Sequence, residues 1–193
     1  MILFFDTETT GIPKDYKAPV SDSQNWPRLV QIAWILTDND GKQVEAASAI
    51  IRPDDFEIPE AAAKIHGITT AMAMAQGVSI RTALARFWEH CQNAAVNLVA
   101  GHNISFDDKI VRAEFHRLKW PDHLEGRTRV CTMMTSTKYC NLPGNYGPKW
   151  PKLQELHKKL FKEEFTEAHN AAADIQATVR CFFELRRLGV IKL

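Results

Sequence analysis

Ile2-Leu3-Phe4-Phe5-Asp6-Thr7-Glu8-Thr9-Thr10-Gly11 opens the chain and decides how the rest is read. Four consecutive apolar side chains suit a strand buried on both faces. The run meets Asp6 at once, so this strand carries polar groups out of the core at its C-terminal end. If extended geometry persists to Glu8, Asp6 and Glu8 lie two apart and share a face. Adjacent carboxylates repel, and a hard cation between them relieves the repulsion, since oxygen ligands suit Mg²⁺ or Mn²⁺. Taken alone, the pair reads more readily as two solvated acids in a turn.

Outward from this strand, residues 29–37 (LVQIAWILT) read as a second strand. Asp38-Asn39-Asp40-Gly41 is a turn signal, and residues 43–51 give a third strand, so 29–51 forms an antiparallel hairpin. From Pro59 the pattern turns helical, with a stop at Gly67. Residues 79–91 place Ile80, Leu84, Phe87 and Trp88 on one helical face. Residues 97–101 are a short buried strand. Residues 105–119 form a helix with Phe106, Ile110, Val111, Phe115 and Leu118 inward. A shorter helix spans 153–161. A long one spans 170–188, with Ile175, Val179, Phe182 and Phe183 on its core face and Gly189 at its end. Strands followed by alternating helix and strand predict an α/β fold with a mixed sheet. Two segments, 12–28 and 138–152, read as loops. The second interleaves Tyr139, Tyr146 and Trp150 with Lys138, Lys149 and Lys152, which suits a nucleic-acid rim as well as a packed surface loop.

The chain has 193 residues, expected to form one domain over 1–193. Lys plus Arg number 24 and Asp plus Glu 23, for a net charge of +1, which excludes a general polyanion binder. Segregated charge could still serve nucleic acid. Cys91, Cys131, Cys140 and Cys181 form no C-x-x-C pair, which argues against a zinc finger or dithiol motif and for reduced thiols. The N-terminus lacks a basic signal-peptide region, and no apolar run approaches the roughly 20 residues of a membrane span. The expectation is a cytoplasmic protein with no membrane role.

Two further clusters carry chemistry. Gly101-His102-Asn103-Ile104-Ser105-Phe106-Asp107-Asp108 follows a buried strand and opens a helix. Either acid also reads as a carboxylate complementing the helix dipole. His169-Asn170-Ala171-Ala172-Ala173-Asp174 opens the last helix. Five residues along a helix turn through about 140°, so His169 and Asp174 converge only if His169 precedes the helix.

FDTETTG, GHNISFD and HNAAAD, in that order, resemble the three exonuclease motifs of the DEDDh group of 3′→5′ exonucleases. This is the family of the proofreading subunit of bacterial replicative DNA polymerase, ribonuclease T and oligoribonuclease. The resemblance covers residues 2 to about 185, and Lys64-Ile65-His66-Gly67-Ile68-Thr69 resembles the family's K-x-H-G-I-T stretch. It implies a ribonuclease H-like mixed β-sheet flanked by α-helices. It also implies two divalent metal ions, Mg²⁺ or Mn²⁺, held by Asp6, Glu8, Asp107 and Asp174, with His169 as general base. Thr7, Thr9, His66, Ile68 and Asn103 would meet the substrate, Ile68 lying against the terminal base. Trp26, Tyr146 and Trp150 are candidates to stack on a single strand, and Lys138, Lys149 and Lys152 to hold phosphates. Two features depart from the commonest family pattern: a longer stretch after Gly11, carrying Tyr16, Trp26 and Arg28, and Val130-Cys131-Thr132-Met133, where many relatives have an Asp-Thr pair. The implied activity is hydrolysis from the 3′ end of DNA, single-stranded or mismatched, releasing 5′-nucleoside monophosphates, with a DNA polymerase subunit as an expected partner. RNA trimming is the alternative. A non-catalytic binding module is a third reading, disfavoured because all four acids and the histidine are present.

Overall fold

The computed structural model describes residues 1–163 and 170–193. In chain order the elements are β1 (Ile2–Thr9), β2 (Leu29–Thr37), β3 (Gln43–Ile50), α1 (Glu60–His66), α2 (Thr70–Gln76), α3 (Ile80–Gln92), β4 (Leu98–Gly101), α4 (Ile104–Leu118), β5 (Thr128–Cys131), α5 (Thr132–Cys140), α6 (Leu153–Phe161) and α7 (Ala171–Arg187). The five strands form one mixed sheet in the order β3-β2-β1-β4-β5. β2 runs antiparallel to both β1 and β3, with Phe4 opposite Ile35 and Asp6 opposite Ala33. β4 joins the other side of β1 in parallel, with Phe4 beside Ala100, and β5 continues parallel to β4. β1 is therefore central, which is why its apolar run is continuous rather than alternating.

Each face of the sheet is covered by helices, and β1 supplies both layers through its period of two. Leu3 and Phe5 face a core shared with Leu84 and Phe87 of α3 and with Ile110, Val111 and Phe115 of α4. Ile2 and Phe4 face the opposite core, with Ile175, Phe182 and Leu185 of α7. The rings of Phe5 and Phe87 meet edge-on at 5.1 Å, and those of Phe4 and Phe182 at 5.0 Å.

Sequence reading omits three elements: β5, α2 and α5. The segment expected as a loop from 138 still belongs to α5 as far as Cys140, so the loop is 141–152. The 12–28 segment is tied to the body of the protein. Arg117 donates to the carbonyls of Ser23 and Trp26 at 2.7 and 2.6 Å, and Lys109 Nζ to that of Tyr16 at 2.5 Å. Buried Glu114 accepts from Arg28, Leu29 N and Arg117. Trp26 is only 3% exposed and its Nε1 donates to Pro19 O, so it is a core residue and not the stacking platform expected. The four cysteines are free thiols. Among the described residues no helix is long and apolar enough to cross a membrane.

Candidate active site

β1 stays extended through Thr9, so Asp6 and Glu8 continue the face that Phe4 presents to α7, while Thr7 points the other way. α7 is fixed across that face by Phe182 against Phe4, and Asp174 stands in its first turn. Asn170 caps this helix, its side-chain oxygen accepting from Ala172 N at 3.0 Å. Asp6, Glu8 and Asp174 can each offer a carboxylate oxygen within 4.8 Å of the others.

Asp107 arrives from the opposite side. The β4–α4 turn packs hard against β1: a Cβ on Gly101 would lie 2.9 Å from Ile104 Cδ1 and 3.1 Å from Phe5 O. Asn103 then takes a left-handed conformation at φ 71°, which asparagine tolerates better than most residues, and α4 begins. Asp107 Oδ1 accepts hydrogen bonds from Thr7 N at 3.0 Å and Thr7 Oγ1 at 2.6 Å. Asp108, by contrast, is spent on Arg112 and Arg129. The two neighbouring acids are thus separated by role: Asp108 is structural and Asp107 joins the cleft.

All four acids line one cleft of about 540 Å³, together with Thr7, His102, Asn103, Phe106, Met133, Trp150, Lys152 and Gln154. Burial, then the charges of Asp107, Asp174 and Glu8, holds Asp6 well above the usual carboxylate range. Glu8 is pushed up to about 8 by burial and then by Asp174 and Asp107. Burial pushes Asp107 up to about 7 against the two Thr7 hydrogen bonds, which pull it down. The set is therefore electrostatically frustrated: it favours binding protons or a cation over standing charged and empty. Clustered hard oxygen donors with raised proton affinity fit one or more divalent metal ions.

A second pocket of about 330 Å³ adjoins the cleft through Thr7, Glu8 and Phe106. Thr9 and His66 line it, as do the exposed side chains of Ile12 and Ile65. The hydroxyl of Thr7 is committed to Asp107 and that of Thr9 to Gly11 O at 2.6 Å. His66 Nδ1 accepts from Ile68 N. Ile68 itself is 5% exposed and packs with Val30, Ile58, Ala62 and Ala73, so it lines neither pocket. The exposed apolar residue of that stretch is Ile65, at 61%. The signal for it in the sequence is an isoleucine on a helix too short to bury every apolar side chain. Phe106, expected inward, packs partly on the core and partly forms the partition between the pockets. Of the other rim candidates, Trp150 and Lys152 line the cleft, Tyr146 is fully exposed, Lys149 pairs with Glu155, and Lys138 lies on α5 outside the cleft lining. His169 falls outside the described residues.

A five-stranded mixed sheet, helix-flanked, with acids gathered at the end of its central strand, defines a ribonuclease H-like fold of the exonuclease type. The chain belongs to the RNase T exonuclease family, whose model, described as "Exonuclease", matches residues 3–182. Among solved structures it is similar to E. coli Exonuclease I in complex with a dA16 oligonucleotide, at 26% identity and a TM-score of 0.76 over 96% of this chain and 40% of that one. The complex of the same E. coli enzyme with a dT13 oligonucleotide gives 25% identity and a TM-score of 0.75 over 97% and 42%. The zinc-ion-bound form of its single-stranded DNA complex gives 25% and 0.76 over 97% and 40%. This chain spans about two fifths of the length of those proteins. No curated protein sequence matches it.

Proposed function

We propose that this chain is a metal-dependent 3′→5′ exonuclease acting on single-stranded DNA and releasing 5′-nucleoside monophosphates. The observation that carries the proposal is the convergence of Asp6 and Glu8 from β1 with Asp174 from α7, beside Asp107 held by Thr7. A cation would offset the electrostatic cost of bringing four acids from three distant segments together, which supports this reading. Asp6, Glu8, Asp107 and Asp174 would hold two divalent ions, Mg²⁺ or Mn²⁺. Bound there, such ions supply Lewis-acid charge that acidifies water and offsets charge building on the phosphate and its leaving 3′ oxygen.

The chain's own residues do the rest. Thr7 fixes the Asp107 carboxylate in one orientation through two hydrogen bonds. The second pocket, with Ile12, Ile65 and Phe106 on its walls, offers apolar surface for the terminal base. His169 takes the proton of the attacking water, for which it must begin neutral. Activity should then fall as pH drops through the imidazole range near ~6.5. DNA is favoured over RNA by the likeness to Exonuclease I bound to dA16 and dT13.

Incubating the protein with 3′-labelled single-stranded DNA or RNA, in Mg²⁺, Mn²⁺ or EDTA, tests this reading. The expected result is loss of the label as a mononucleotide from DNA, dependent on metal. Intact termini on both polymers with manganese present would overturn it, and preference for RNA would transfer it to the alternative substrate.

A further inference from the structure

His102 stands beside the acids, yet both of its ring nitrogens are engaged. Nδ1 lies 3.0 Å from Thr132 Oγ1 and Nε2 lies 3.0 Å from the carbonyl oxygen of Pro151. A carbonyl only accepts, so Nε2 carries the proton and donates it. Burial pushes the ring's pKa down to about 4, so near neutral pH it holds that proton alone, and Nδ1 accepts from the Thr132 hydroxyl in place of the Gly101 carbonyl, which lies 3.2 Å from the same oxygen. The ring has no donor or lone pair left for water, metal or phosphate. What it holds is the strap of residues 141–152.

That strap is fixed by several independent ties. Lys149 N donates to Leu142 O at 3.0 Å, closing the loop on itself. Glu155 of α6 accepts from Lys149 Nζ at 2.7 Å and from Lys152 N at 2.8 Å. A Cβ on Gly144 would lie 2.6 Å from Gly147 O, so the tip admits no larger residue there. Between these ties Trp150 is 63% exposed and lines the acidic cleft, as does Lys152. The indole therefore presents apolar ring surface to solvent at the edge of the cleft, within reach of whatever enters it. A flat ring with an ammonium two residues away suits the base and phosphate of a single strand.

We infer that Trp150 stacks on a base of the single strand whose 3′ end enters the cleft, and that His102, through the Pro151 carbonyl, is the positioning residue that holds it there. The inference rests on the exonuclease reading for its substrate and adds to it a subsite on the strap. Trp150→Ala and His102→Ala should each raise KM for a single-stranded oligonucleotide about tenfold, with the smaller part of the loss in kcat. Trp150→Phe keeps a stacking ring, and His102→Gln keeps a donor for Pro151, so both should recover much of the loss. The double alanine variant should be little worse than either single one, because both act through one contact. An unchanged KM in Trp150→Ala, or strictly additive losses in the double variant, would overturn the inference. If the wild type hydrolyses nothing, binding in EDTA decides, read as quenching of the fluorescence by which wild type exceeds Trp150→Phe. Quenching on oligonucleotide addition keeps the strap and sinks only the exonuclease reading; its absence sinks the strap.

Discussion

Thr7 shows how one side chain between two acids can matter more than its type suggests. It sits on the far face of β1 from Asp6 and Glu8, and its backbone and hydroxyl both donate to Asp107. Those bonds lower the proton affinity of a carboxylate that burial otherwise raises. Thr7→Val keeps the shape and removes the 2.6 Å bond. It should cost about 1–2 kcal/mol of stability and weaken divalent-cation affinity near pH 7, read by calorimetric titration. An unchanged affinity would mean that Asp107 needs no such tether. Asp6→Asn removes a charge from the centre of the set and should abolish metal-dependent cleavage of labelled DNA; full activity would take Asp6 out of the metal set. His169→Ala should keep cation binding and lose roughly 10²–10⁴ in rate, and wild-type turnover would refute the assignment. At this scale the motif resemblance singled out Asp107, while residue type and position left Asp107 and Asp108 alike; the tertiary contacts supply the physical difference, since Arg112 and Arg129 claim Asp108 and Thr7 claims Asp107. Trp26 and Ile68 were misplaced for a related reason: residue type indicates what a side chain can bind, while burial decides whether anything can reach it.

Among the elements, those with a strong apolar period or a clear stop were legible. α6 spans Leu153–Phe161 as expected, α1 ends where Gly67 takes the left-handed cap, and the β2–β3 hairpin follows its turn signal. The omitted elements lack such signals. β5 is four residues long, α2 is seven, and α5 (TMMTSTKYC) is rich in threonine, a weak helix former, so tertiary packing and not propensity makes it helical. The β4–α4 turn is the element on which the site most depends, because it sets Asp107 against β1. Gly101→Ala would drive a methyl to 2.9 Å from Ile104 Cδ1 and 3.1 Å from Phe5 O. The expected cost is about 1–3 kcal/mol in chemical denaturation, with a loss of activity as α4 shifts. Ile104→Val deletes the closer of the two clashing atoms, so the double variant should be more stable than the sum of its parts. Additive effects would show that the backbone, not Ile104, resists the methyl.

For the whole molecule, the cleft's charge couples function to stability. Glu8 and Asp107 are held near about 8 and about 7 in the folded chain, against 4.5 and 3.8 for exposed groups. Between the two sets of values the folded protein keeps protons that the unfolded chain has lost, so the slope of stability against pH is negative there. Their contribution is fully present below about 4 and drains away as pH rises through about 8. Elsewhere, carboxylates such as Glu45 and Glu155 are lowered by Arg86 and Lys149, and they act in the opposite sense only at more acid pH. The metal-free protein should therefore melt at a lower temperature at pH 8 than at pH 5. A divalent cation replaces the lost protons, so its stabilisation should grow with pH and reach about 2.7 kcal/mol at a hundredfold excess over Kd. Melting curves in EDTA and in MnCl₂ across that range check both halves. Glu8→Gln should make the EDTA curve shallower and shrink the manganese gain together, since the Glu8 carboxylate contributes to both. A variant that changes one without the other would separate the pH-sensitive group from the cation ligand.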